Sequence, residues 1–136
     1  MKEFEISIRE MLEMKEALMI EAGNSKIPVL VLMSFSDIKY KIQPLLDSYA
    51  EAKRELEKRL SEKKEDNEGN IVDWIPPENM VEYRDQDRAL LAKQYKVKLP
   101  VIKASDLGYD PKKPTSNKFE IKPGFVMGMG KLIVKK

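Results

Sequence analysis

Apolar positions recur along this chain at changing spacings, and each change marks a new element. Phe4, Ile6 and Ile8 alternate with Glu3, Glu5 and Ser7, the two-residue period of a short strand. Ser7 also begins a Ser-x-x-Glu capping box with Glu10, in which each side chain satisfies a free backbone N–H. A helix from Ile8 to Ala22 is expected next, with Ile8, Met11, Leu12, Leu18, Met19 and Ala22 on one face. Gly23 stands where a left-handed C-terminal residue belongs.

The longest pattern runs from Asp37 to Lys64. Ile38, Ile42, Leu45, Tyr49, Ala52, Leu56 and Leu60 follow at steps of three and four, between charged residues. Such a narrow stripe wants a helical partner along its length. Pro44 interrupts it: with no N–H for the carbonyl of Tyr40, it costs roughly 3 kcal/mol inside a helix, so the helix kinks or begins there. Glu51 with Arg54, and Glu55 with Lys58 and Arg59, are placed as surface pairs worth about 0.2–0.5 kcal/mol each. The preceding run Ile27–Met33 fits either a buried strand or a helix opened by Pro28.

Lys63 to Asn70 reads as a polar turn ending the long helix, with Gly69 at positive φ. Ile71 to Ile75 is short and extended and carries Trp74. Pro76-Pro77 starts another helix, with Met80, Tyr83, Asp87, Leu90, Leu91 and Gln94 inward, and the short connection makes it the antiparallel neighbour of the long one. Val97, Leu99 and Val101 alternate as an edge strand able to pair with Phe4–Ile8. Ser105 to Asn117, with Gly108, Pro111 and Pro114, reads as a loop, and Phe119 and Ile121 as extended. Pro123–Val134 contains three glycines and fits a short helix or an extended arm.

The expected architecture is mainly α: a helix, a long kinked helix and an antiparallel return helix, with a small β element and an irregular C-terminal arm. The 136 residues make one domain, with a core over residues 4–107 and a loop and arm over 108–136. The stripe is longer than one return helix covers, which predicts self-association.

Composition removes much chemistry. The chain has no cysteine and no histidine, which excludes disulfides, thiol nucleophiles, zinc fingers and Ser-His-Asp arrangements. The first residues, Met-Lys-Glu-Phe-Glu, do not form a signal peptide, and the uncharged run Ile27–Ser36 is too short to span a bilayer. A soluble cytoplasmic protein without a membrane contact is expected. The formal net charge is +2, yet from Lys112 to Lys136 seven lysines face Glu120 alone. That segment has no arginine and only Phe119 and Phe125 as aromatics, which argues for a basic soluble tail and against nucleic-acid binding.

Local motifs add little. Gly124, Gly130 and Lys131 approximate a phosphate loop, but five residues replace the required four and Leu132 replaces the hydroxyl; a tail packing small residues closely is the better reading. Asp66–Ile71 resembles part of a calcium loop, but Lys64 and Ile75 occupy its essential ends. Asp85 with Asp87, and Asp47 with Glu51, read as solvated helix surface rather than acid–base pairs. Asp87 falls on the apolar side and is placed to pair with Arg54, Arg84 or Arg88. With no nucleophile–base set, metal cluster or cofactor motif, a non-enzymatic protein acting by binding is expected. Trp74, Tyr83, Arg84, Arg88 and Arg54 form the candidate ligand- or partner-binding set, because aromatic and arginine side chains together hold planar anions or anchor interfaces.

The element order carries a resemblance. Ser-Ile-Arg-Glu-Met-Leu-Glu-Met-Lys-Glu-Ala-Leu, the Lys-Ile-Pro-Val joint, Lys-Ile-Gln-Pro-Leu-Leu, Pro-Pro-Glu-Asn-Met and Val-Lys-Leu-Pro-Val-Ile resemble small helical-hairpin proteins of tailed phages and prophages of Gram-positive bacteria, over roughly residues 5–107. The resemblance implies helix for residues 28–36. It also implies a phage accessory protein in the host cytoplasm, engaged in counter-defence; the stripe adds that it would be a homo-oligomer. Such a protein would sequester a host protein or a nucleotide immune signal between protomers. A phage assembly protein using the hairpin as an interaction rod is the alternative.

Overall fold

In the computed structural model, which describes residues 1–108, 117 and 119–134, β1 (Lys2–Ser7) hands the chain directly to α1 (Ile8–Ile20). The capping box forms there: Glu10 N–H donates to Ser7 Oγ and Ser7 N–H to Glu10 Oε1, both at 3.1 Å. The buried face of α1 is turned from the expected one. Met14 and Ala17 join Ile8, Met11 and Leu18 inside, while Leu12 and Met19 stay exposed. A C-terminal helix described below packs on the Ala17 side and draws that face inward. Gly23 is not left-handed. Successive turns, Ala22 N–H to Met19 O and Asn24 N–H to Glu21 O, satisfy the last carbonyls instead.

The run after Ile27 is helical. α2 spans Val29–Leu60, beginning well ahead of Asp37 and ending short of Lys64, with Pro28 as its N-cap. It passes through Pro44 as one helix. The carbonyl that Pro44 leaves unbonded belongs to Tyr40, and both residues lie on the outer surface, where water can satisfy it. The Pro44 carbonyl also accepts a bond from Ser48 Oγ at 3.1 Å.

Lys63–Asn70 is only partly a turn. β2 (Glu62–Glu65) pairs antiparallel with β3 (Ile71–Trp74) in a hairpin closed by Asp66–Asn70. Asp66 organises that turn by accepting from the backbone N–H groups of Glu68 and Asn70, which hold its carboxyl below the usual range. Gly69 takes φ 84°, as expected. α3 (Pro77–Ala92) starts on the second proline, and β4 (Gln94–Leu99) follows at once. Gln94 therefore belongs to the strand and not to the inner side of α3. β4 pairs antiparallel with β1, from Lys2 opposite Leu99 to Ser7 opposite Gln94. β5 (Ile102–Lys103) runs parallel to β6 (Ile133–Val134). Among the described residues the β structure is thus three separate strand pairs rather than one small element.

The carboxyl end is not an irregular arm. α4 (Pro123–Met129) buries Phe125 and Met129 completely, with Ile121 and Leu132 beside them. Its Phe125 ring lies 5.1 Å from that of Phe35 of α2. The core therefore extends past residue 107. The approach to α1 is close: a Cβ at Gly128 would stand 2.7 Å from that of Ala17 and 2.9 Å from the Glu13 carbonyl oxygen. Close packing of small residues is what Gly128 does, whereas Gly130 faces open space and serves a positive φ. Phe119 and Ile121 are not in a strand, and Glu120 takes φ 54°. Buried Glu21 receives the segment, accepting from Lys122 N–H at 2.7 Å and Asn24 Nδ2 at 2.9 Å. Lys131 reaches Glu10 at 2.9 Å and the Glu5 carbonyl at 2.7 Å. Burial works against the Glu10 charge, but Lys131 and Ser7 outweigh it and hold the carboxyl below its ordinary value.

The molecule is mainly α. One apolar cluster joins α1, the first half of α2, β1, β4 and α4. Leu56 and Leu60, at the far end of α2, are buried outside that cluster. Ile38, Ile42 and Leu46 point into the cluster, and Leu45 and Tyr49 pack against it. From Ile38 to Tyr49 the stripe is thus covered within one chain, so self-association cannot be argued from that part of the seam. No helix of the described residues is long and apolar enough to cross a membrane. Pro111, Pro114, Lys112, Lys113, Lys118, Lys135 and Lys136, and with them most of the expected loop and basic tail, lie outside the described residues.

Candidate functional site

The second half of α2 and the whole of α3 form an arm held together by polar side chains. Asn79 Nδ2 donates to the Leu60 carbonyl at 2.9 Å, Tyr83 Oη to Glu57 at 2.9 Å and Tyr49 Oη to Asp87 at 2.7 Å. These contacts climb α3 as they descend α2, so the two helices run side by side in opposite senses. Burial, together with the acceptors Glu57 and Asp87, favours the neutral phenols. Tyr83 is pushed up to about 12 by burial and the Glu57 carboxylate, and Tyr49 is raised further by burial and Asp87.

No side chain of α3 is fully buried. The reason lies in the residues facing α2. Ala52, Ala89 and Ala92 are too short to fill the space between the helices, so a groove of about 510 Å³ remains. Leu56 and Leu90 provide its apolar walls, and Arg59 and Lys93 stand at its rim. An apolar trough between two helices, with basic residues at its edges, matches the apolar face and acidic flank of a third helix.

The five residues singled out from sequence do not converge. Arg54 and Trp74 line a second hollow of about 270 Å³, together with Glu57, Lys58 and Asp73. Trp74 is 39% exposed, and the Lys64 ammonium lies 4.5 Å from its ring centroid. Tyr83 reaches this hollow only through Glu57. Arg84 and Arg88 do not line it, and Arg88 sits 3.9 Å from Asp85 on the outer surface. Glu57 and Asp73 also weaken the field that a phosphate would require. Asp87 pairs with Tyr49 and with none of the expected arginines, since Arg54 turns to Glu51 at 2.8 Å. Asp47 accepts from Gln43 at 2.8 Å. Among the described residues no three Asp or Glu side chains gather to hold a metal ion.

Comparison with known proteins finds no match to this chain, whether among family models, curated proteins or solved structures. The surfaces of the arm therefore carry the functional reading. The groove itself escaped the sequence pattern. Its signal was negative: short side chains at Ala52, Ala89 and Ala92 along the edge of the helix contact, where longer ones would narrow the groove.

Proposed function

We propose that this is a non-enzymatic protein that acts by binding other proteins through the α2–α3 arm, with the groove between Leu56 and Leu90 as the contact. The observation that carries this is a sixteen-residue helix, α3, with no fully buried side chain beside an apolar trough. A helix in that position gains stability when a partner removes Leu90, Ala89 and Ala92 from water. The protein-binding form is favoured over nucleotide sequestration because Arg84 and Arg88 stand away from Trp74 and Arg54. On the resemblance to tailed-phage proteins, the partner would be a host factor or a virion component.

The test is affinity purification from the cells in which the protein is made, with wild type beside Ala89→Glu and Leu90→Glu. A defined protein retained by wild type and lost from both folded variants is the expected result. Titration with cyclic and linear nucleotides should leave the melting temperature unchanged. A saturable shift with one nucleotide, abolished by Trp74→Ala and Arg54→Ala, would replace this reading with a nucleotide-binding one.

A further inference from the structure

The outer face of α2, opposite the core, is apolar over its first three turns. Val29 is 73% exposed, Leu30 78%, Met33 59% and Tyr40 79%. Val29, Met33, Ser36, Tyr40 and Gln43 succeed one another at steps of four and three, so they form one stripe along the helix. At its amino end the stripe presents projecting side chains. At its other end is a hollow of about 400 Å³, floored by Tyr40 and Pro44 and edged by Lys39, Gln43 and Asp47. Met33 and Tyr40, the facing edges of projection and hollow, lie about 10 Å apart along one helix, as the rise per residue dictates.

We infer that this face is a homodimer interface in which two α2 helices cross antiparallel, with the two-fold axis at Ser36. The arrangement follows from self-complementarity. A two-fold axis between Met33 and Tyr40 sets Val29 and Met33 of each copy into the Tyr40–Pro44 hollow of the other, so the same contact is made twice. Ser36, small enough for close approach, lies at the crossing. A parallel pairing would set Tyr40 against its own copy and leave both hollows empty. The flanks carry Asp37 and Asp47 against Lys39 and Lys41, so two copies meet without net repulsion. The exposed Val29, Leu30, Met33 and Tyr40 side chains together offer on the order of 500 Å², the size of the largest apolar patch on a typical monomer, which is often functional. The interface is distinct from the arm groove and does not depend on what that groove binds.

Sedimentation equilibrium of the full chain tests the inference. A monomer–dimer equilibrium is expected, weakened at least tenfold by Met33→Glu; the melting temperature of the dilute monomer stays unchanged, because Met33 is exposed there, while the rise of melting temperature with concentration is lost. The chain's lack of cysteine allows the direction to be read by cross-linking. Mixed Met33→Cys and Tyr40→Cys chains should form a disulfide between copies faster than either variant alone. The inference is overturned by a strict monomer at every concentration. A dimer untouched by Met33→Glu but lost in Leu90→Glu would overturn it too, as would Met33→Cys cross-linking to itself faster than to Tyr40→Cys.

Discussion

Gly128 shows how much one missing side chain can fix. Its Cα lies against α1 so closely that a methyl group would meet both a side chain and a backbone carbonyl. Gly128→Ala should therefore cost about 1–3 kcal/mol, the usual range for overpacking, as measured by urea unfolding. Adding Ala17→Gly should recover only part of the loss, because the Glu13 carbonyl oxygen remains in the way. The glycines of the last segment were visible in the sequence as a motif that failed to be a phosphate loop. Which helix they would touch was not visible, since nothing local in residues 123–130 names Ala17 as the partner. Ser7 and Glu10 show the opposite case: the capping box is a contact over three residues, and its spacing contains the whole geometry.

At the scale of elements, legibility follows the range of the interactions. The start of α3 at Pro77, the left-handed Gly69 and the pairing of β1 with β4 were readable, because proline chemistry, turn chemistry and alternation are local rules. The β2 strand was not, because Glu62-Lys-Lys-Glu65 carries no alternation and is extended only through its ladder to Ile71–Trp74. The candidate site failed for a related reason. Helical spacing places Arg84 and Arg88 near Tyr83 in sequence, but it does not say which flank of α3 faces α2. What joins these helices also sets a pH dependence. Tyr49 and Tyr83 are more easily kept neutral in the folded arm than in the unfolded chain, so their contribution is complete below pH about 10. It is lost as pH rises through the folded value of Tyr83, about 12. Helicity followed by circular dichroism should fall over that window in wild type, and less steeply in Tyr49→Phe/Tyr83→Phe. An equal decline in both proteins would show that the phenols do not hold the arm.

For the whole molecule, the decisive feature is the return of the carboxyl end onto the amino end. Phe125, Met129 and Leu132 are fully buried with Ile6, Met11 and Ile38, and Glu21 and Lys131 hold the returning segment at two further points. A chain truncated after Gly108 exposes that side of α1 and leaves Phe35 without its ring partner. Its melting transition should be lost or broadened, with helix content concentrated in α2 and α3. A sharp transition near the wild-type temperature would show that residues 4–107 suffice as a core.

The two parts of the fold also differ in when they can form as the chain emerges from a ribosome. The side-chain hydrogen bonds that join α2 to α3 link residues within one helical hairpin, so that part of the arm can assemble early, although Leu91 and Tyr49 wait for the core they pack against. The core cannot close until residue 132 has been made, because its amino-terminal half is completed by residues more than a hundred positions later. Until then the nascent protein holds out an apolar cleft beside the arm, and the segment from Ile121 to Leu132 is the one that seals it.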